Sequence, residues 1–189
     1  SDLGMGWGRF AAMIATSTVI MFVMMYQLVY ERDHAMFSVT RLISSLVMGC
    51  VMTAIMLAFM WKMYRPEGTK IAVLALAILG AAGLLTINRQ QSLVDDSAFM
   101  EAMIPHHSIA VNNARKADIR DPRVRYLADR IIRDQIKEIA EMKALLADID
   151  AHGRRGATRL PSGSTVLTPD GQREVTALVD GSLLTAKPL

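Results

Sequence analysis

Residues 95–118 read DDSAFMEAMIPHHSIAVNNARKAD, an apolar helix pattern that carries two adjacent histidines. Phe99, Ala102, Met103, His106, Ile109, Ala110, Asn113 and Ala117 recur at three- and four-residue spacing, the period of one helical face. Asp95, Asp96 and Ser97 are suitable caps for the start of this helix. After a short connection containing Asp118 and Arg120, Asp121-Pro122 supplies an N-cap followed by proline at the first helical position. A second seam then runs through Val124, Leu127, Ala128, Ile131, Gln135, Ile139, Met142, Leu146 and Ile149. A connection this short makes the two helices antiparallel neighbours, so residues 95–149 are expected to form a helical hairpin.

Upstream, the chain changes character. The hydrophobic fraction of 52% over 189 residues is high for a soluble protein, and nearly all of the excess precedes Asn88. Residues 10–30 and 42–61 are uncharged or nearly so and roughly twenty residues long, the length that crosses a hydrocarbon core as a helix. Residues 71–87 form a third, slightly shorter run. The first run ends in Gln27-Leu28-Val29-Tyr30 and is followed by further apolar runs, which fits a retained span better than a cleaved leader. Tyr26, Tyr30, Trp61 and Tyr64 stand at run ends, where aromatic rings favour the interface. Arg9, Lys62, Arg65 and Lys70 lie on one side of the spans, whereas Arg32, Arg41 and Arg89 on the other are diluted by Glu31, Asp33, Asp95 and Asp96. This bias orients the N-terminus to the cytoplasm and delivers the hairpin to the outer face, the periplasm in a two-membrane bacterium.

The expected organisation is all-α: an N-terminal cytoplasmic segment (1–9), a three-span anchor in the inner (plasma) membrane (10–90), the His-His hairpin domain (91–150), and a linker and tail (151–189). The tail begins with a Gly, Arg, Pro and Ser-rich stretch, and Thr168-Pro169-Asp170-Gly171 starts either a helix or a turn between two short strands. The formal net charge is +3, with Lys and Arg interleaved among acids, so no nucleic-acid surface is read. The single Cys50 supports no disulfide framework.

The donor pattern lies around the tandem histidines. Met100, Met103 and either His106 or His107 form a ladder along one helix. Neighbouring residues are about 100° apart, so one histidine faces the partner helix and the other a flank; the seam favours His106 as the inward one. Pro105 either kinks the helix where the histidines emerge or merely bends it round its partner. Folding the hairpin sets His106 near Arg133 and Gln135, Met103 near Ile136, and Met100 near Ile139 and Met142, with Glu138 close by. Soft thioethers and borderline imidazoles together suit copper, with Cu(I) favoured; the competing reading is a hydrogen-bonded core histidine among filler methionines. The stripe Met48, Met52, Met56, Met60 in the second span is read in the same two ways, as a soft conduit or as helix packing. The His-Glu-x-x-His motif, Cys pairs, a Gly-x-Ser-x-Gly elbow and a phosphate-binding glycine loop are all absent from the sequence, which argues for binding rather than catalysis.

Asp96, Phe99-Met100, Met103-Ile104-Pro105-His106-His107, Ala110, Leu127-Ala128, Ile131-Ile132, Gln135, Glu138-Ile139 and Met142 together resemble the pattern of the domain of unknown function 305 family. The resemblance covers residues 94–149, and the three spans resemble those of a membrane-anchored subgroup. It implies a fold similar to ferritin-like bundles, of which the hairpin is half, and an extracytoplasmic copper-binding role with His106, His107, Met103 and Met142 as contacts. Asn113 departs from it, standing where many members carry a further Met, and Asn is the harder donor. A two-helix hairpin cannot bury both faces alone, so a second copy, a partner membrane protein or the tail is expected against it. The alternative function is a non-catalytic accessory or structural subunit of a larger membrane complex, with the hairpin as docking module.

Overall fold

A computed structural model describes residues 6–186; the first five residues of the expected cytoplasmic segment and the last three of the tail lie outside the described residues. Every regular element among the described residues is helical: α1 (Trp7–Met24), α2 (Val39–Phe59), α3 (Glu67–Gln90), α4 (Asp96–Lys116), α5 (Pro122–His152), α6 (Pro169–Val179) and α7 (Ser182–Ala186), with short 3-10 turns at Arg32–His34 and Trp61–Met63. The chain forms two compact units, residues 1–106 and 107–189, and the division falls inside α4 directly after His106.

In the first unit α2 packs against both α1 and α3. These three helices have 18, 21 and 24 residues and are long and apolar enough to cross a membrane; at 1.5 Å per residue they span about 27–36 Å, against about 30 Å of hydrocarbon. Val19, Val23, Leu76 and Leu79 are all exposed, as expected of side chains that meet lipid rather than water. The helix limits differ from the apolar runs for identifiable reasons. α1 ends at Met24, short of the run's end at Tyr30, because the Arg41 guanidinium donates to the Met25 carbonyl and lies over the Tyr26 ring, 4.5 Å from its centroid. The Tyr26 hydroxyl in turn accepts from the Ser38 backbone N–H at 3.0 Å, pinning the loop. A cation is well placed there, where the last carbonyls of a helix lack partners.

At the opposite ends of the spans, Phe10, Leu57 and Tyr64 form a buried cluster, with Trp7, Met56, Met60, Trp61, Val73 and Leu74 packed on it. Tyr64 is therefore buried among protein side chains, its ring 4.9 Å from Trp7 and 5.2 Å from Phe10. Trp7 donates its indole N–H to the Arg65 carbonyl at 3.0 Å. Met56 and Met60 thus fill space around aromatic rings, as the packing reading of the methionine stripe requires. α3 begins earlier than its apolar run, with Glu67 in its first turn and the Lys70 ammonium reaching the Trp61 carbonyl at 3.2 Å.

In the second unit α5 begins as its sequence predicts: Asp121 caps it, accepting from the Arg123 backbone N–H at 2.8 Å, and Pro122 occupies the first turn. Of the two readings of residues 168–171, the structure has the helix. The Thr168 hydroxyl accepts from the Gly171 N–H at 3.1 Å and opens α6. Arg123 donates to the Val179 carbonyl at 2.7 Å, tying the end of α6 to the start of α5.

Candidate metal centre

The donor-bearing helix α4 is capped by Asp95, whose carboxylate accepts from the Ala98 N–H at 2.9 Å. It continues through Pro105 to Lys116 as one helix, and Pro105 itself is fully buried. The buried face is Met100, Ile104, His107, Ser108, Val111 and Asn112. That stripe also has helical spacing, but its centre lies about 160° round the helix from the face expected from the sequence, nearly opposite it. Phe99 and His106 are exposed, and so is Asn113. Both stripes have apolar residues three and four apart, and they share no residue. The observed one places aliphatic and thioether side chains inside, with Ser108 small enough for a close approach and polar contacts available to the inward histidine.

The consequence for the site is specific. His107, at 8% exposure, is the inward histidine and His106 the outward one, the reverse of the expected assignment. The His107 ring Nε2 lies 2.7 Å from Glu138 Oε2, a hydrogen bond between α4 and the middle of α5. Met142, one turn beyond Glu138 on the same face of α5, is buried, as is Ile139. His107, Glu138 and Met142 all belong to the second unit. Of the other expected donors, Met100 is buried and Met103 half-buried, both on the turns of α4 before the histidines. Most of the α5 seam stands as read from sequence, with Ala128, Ile139 and Met142 innermost and Val124 displaced to the surface.

At the start of α5, hydrogen bonds from the Arg123 side chain and backbone hold the Asp121 carboxyl down at about 2. The Arg125 guanidinium donates to the Ala114 carbonyl near the end of α4 at 3.1 Å and pairs with Asp129 at 2.7 Å. Sequence reasoning places Glu138 close to the histidines, in Gln135-x-x-Glu138-Ile139-x-x-Met142, but does not identify it as the partner of His107. It also passed over His34, which is buried in the loop between α1 and α2 with Glu31 at 3.6 Å and Asp33 at 3.9 Å. The signal for that group was a His beside two acids in a four-residue stretch.

A family model described as Domain of unknown function (DUF305) matches residues 82–173. This segment belongs to that family. The DUF305 segment takes in the end of α3, both α4 and α5, and the first turn of α6, so it extends beyond residues 94–149 on both sides. Among curated proteins, the uncharacterized protein L153 of Acanthamoeba polyphaga mimivirus is 42% identical over 60 residues, 31% of this chain and 40% of the viral protein. The chain thus matches about two-fifths of that relative's length. No solved structure matches the chain.

Proposed function

We propose that this is a membrane-anchored copper-binding protein that buffers the ion or hands it on, using His107, His106, Met103, Met100 and Met142 of the DUF305 segment. The observation that carries the reading is the burial of His107 against Glu138, one turn along α5 from buried Met142. An imidazole and thioethers withdrawn from water are the borderline and soft donors that Cu(I) selects, so the residues fit the ion. When bound, copper would supply a soft Lewis-acidic centre. The chain's own part is to present the donors on helices and to keep water from the buried ones.

Two contacts support an antiparallel hairpin, half of a ferritin-like bundle: His107 meets Glu138, and further along α4 the Ala114 carbonyl meets Arg125, earlier in α5. The loop charges support a cytoplasmic N-terminus and an extracytoplasmic hairpin and tail; in a two-membrane bacterium the spans would then lie in the inner membrane and the hairpin in the periplasm. The role is binding rather than catalysis, with the lipid bilayer and either a second copy or a partner membrane protein as neighbours. Val124, Ile136 and Leu145, exposed on α5, favour a second reading in which the hairpin docks in a larger membrane complex as an accessory subunit.

The test is metal analysis of the detergent-extracted chain after anaerobic Cu(I) loading, beside the His106→Ala, His107→Ala double variant. Stoichiometric copper in the wild type and none in the variant is the expected result. Copper absent from both moves the assignment to the accessory reading.

A further inference from the structure

We propose that Glu31, Asp33 and His34, in the loop between α1 and α2, form a site for a borderline divalent cation such as Zn(II), separate from the donors of the DUF305 segment. All three residues belong to the first unit and lie outside residues 82–173, so the site stands independently of the copper reading.

The local fold brings the donors together. Arg32–His34 is a 3-10 turn entered from Glu31, whose carbonyl accepts from the His34 N–H at 3.1 Å. Such a turn has three residues per revolution, so side chains three apart rise on one side of it, as those of Glu31 and His34 do. The donor atoms of these two and one oxygen of Asp33 all lie within 4.8 Å of one another. The His34 Nε2 faces Glu31 Oε2 at 3.6 Å and Asp33 Oδ1 at 3.9 Å. Both gaps are wider than a hydrogen bond, about 2.7–3.2 Å. They approach the separation of two ligands on one ion: bonds of about 2.0–2.2 Å at tetrahedral angles hold neighbouring donors about 3.4 Å apart. A small inward movement of the carboxylates completes the set.

Burial divides the roles. The His34 side chain is 7% exposed, those of Glu31 and Asp33 55% and 62%. The imidazole is the fixed anchor, and the carboxylates close on the ion from the water through which it arrives. A ring bound through Nε2 keeps its other nitrogen for a hydrogen bond, the ordinary arrangement of a metal-binding histidine. One nitrogen and two carboxylate oxygens, with no thioether, suit Zn(II) rather than Cu(I), and three protein donors leave a fourth position to water. The Tyr26 hydroxyl accepts from the Ser38 N–H at 3.0 Å and closes the loop near its two ends, so little chain must be ordered on binding.

The experiment titrates Zn(II), without copper, into the full chain in detergent at neutral pH and follows the ring signals of its 4 histidines in 15N spectra. The His34 signal should move saturably with one equivalent. Glu31→Gln with Asp33→Asn changes two exposed carboxylates to amides of nearly the same shape and leaves the buried ring in place. Loss of a single outer partner of a ligand already costs about 10–100-fold in affinity, so loss of two direct donors should weaken binding at His34 at least about tenfold. Zn(II) taken up at His106 or His107 moves those rings and not that of His34, which keeps the two sites apart in the readout. A His34 signal that stays unmoved at excess Zn(II), or that moves at the same Zn(II) concentration in the double variant, overturns the proposal.

Discussion

Replacing Ile104 by Ala should loosen α4 far more than replacing Phe99 by Ala, although Phe is the larger side chain. Ile104 is wholly buried, at 0% exposure. Burial of an aliphatic chain of this size is worth about 1.5–3 kcal/mol, and the cavity left by truncation raises the loss to about 2–5 kcal/mol. Phe99 is 53% exposed. Its truncation forfeits about half of a full burial, roughly 1 kcal/mol, and the better helix propensity of Ala returns about 0.5 kcal/mol. The two variants should differ by at least about 1.4 kcal/mol, a tenfold change in the opening equilibrium. Native-state hydrogen exchange of the α4 amides in detergent is the suitable assay, because it reads opening free energies segment by segment and does not require a chain of two units to unfold in one step. Equal or greater loosening in Phe99→Ala refutes the reasoning. It would mean that the Phe99, Met103 and His106 face is the inward one, and that His106 rather than His107 is the enclosed histidine.

Two further outcomes follow from contacts elsewhere. A Cβ added at Gly49 would stand 2.6 Å from Thr18 Oγ1, itself bonded to the Ile14 carbonyl at 2.8 Å, so Gly49→Ala forces α1 and α2 apart. It should lower the thermal midpoint in detergent by an amount matching about 1–3 kcal/mol, and more than Gly80→Ala, whose Cβ meets only the Cys50 sulfur at 3.3 Å; equal midpoints count against the packing described. The Asp121 carboxyl, drawn from 3.8 to about 2 by Arg123, contributes capping stability that is complete above its ordinary value and disappears as pH falls through about 2. Carbon-13 titration should place it near the lower figure in the wild type and return it toward the ordinary one in Arg123→Ala; a wild-type value near 3.8 is the contrary result.

The helices were legible because their signals are local. Asp121-Pro122 opens α5 in the sequence as in the structure, and uninterrupted apolar runs mark membrane-length helices whatever surrounds them. The limits were less so. α1 stops where Arg41, sixteen residues downstream, reaches the Met25 carbonyl, a contact that no local pattern encodes. The inward face of α4 was hidden for a related reason. Its two candidate stripes lie on nearly opposite sides of the helix, yet both contain apolar residues at helical spacing and one histidine of the pair. Identifying the inner histidine needs the partner side chain, Glu138, which lies thirty-one residues away. The burial of Tyr64 by Trp7, Phe10 and Leu57 is likewise a tertiary contact that its position at a run end does not encode.

The measurement that tests the central claim most directly is a Cu(I) competition titration of the wild type beside His107→Ala and His106→Ala taken singly. The account predicts a stoichiometric site in the wild type, its loss or severe weakening in His107→Ala, and a smaller loss in His106→Ala, whose ring is exposed. Copper binding that is absent from the wild type, or that survives His107→Ala undiminished, contradicts it.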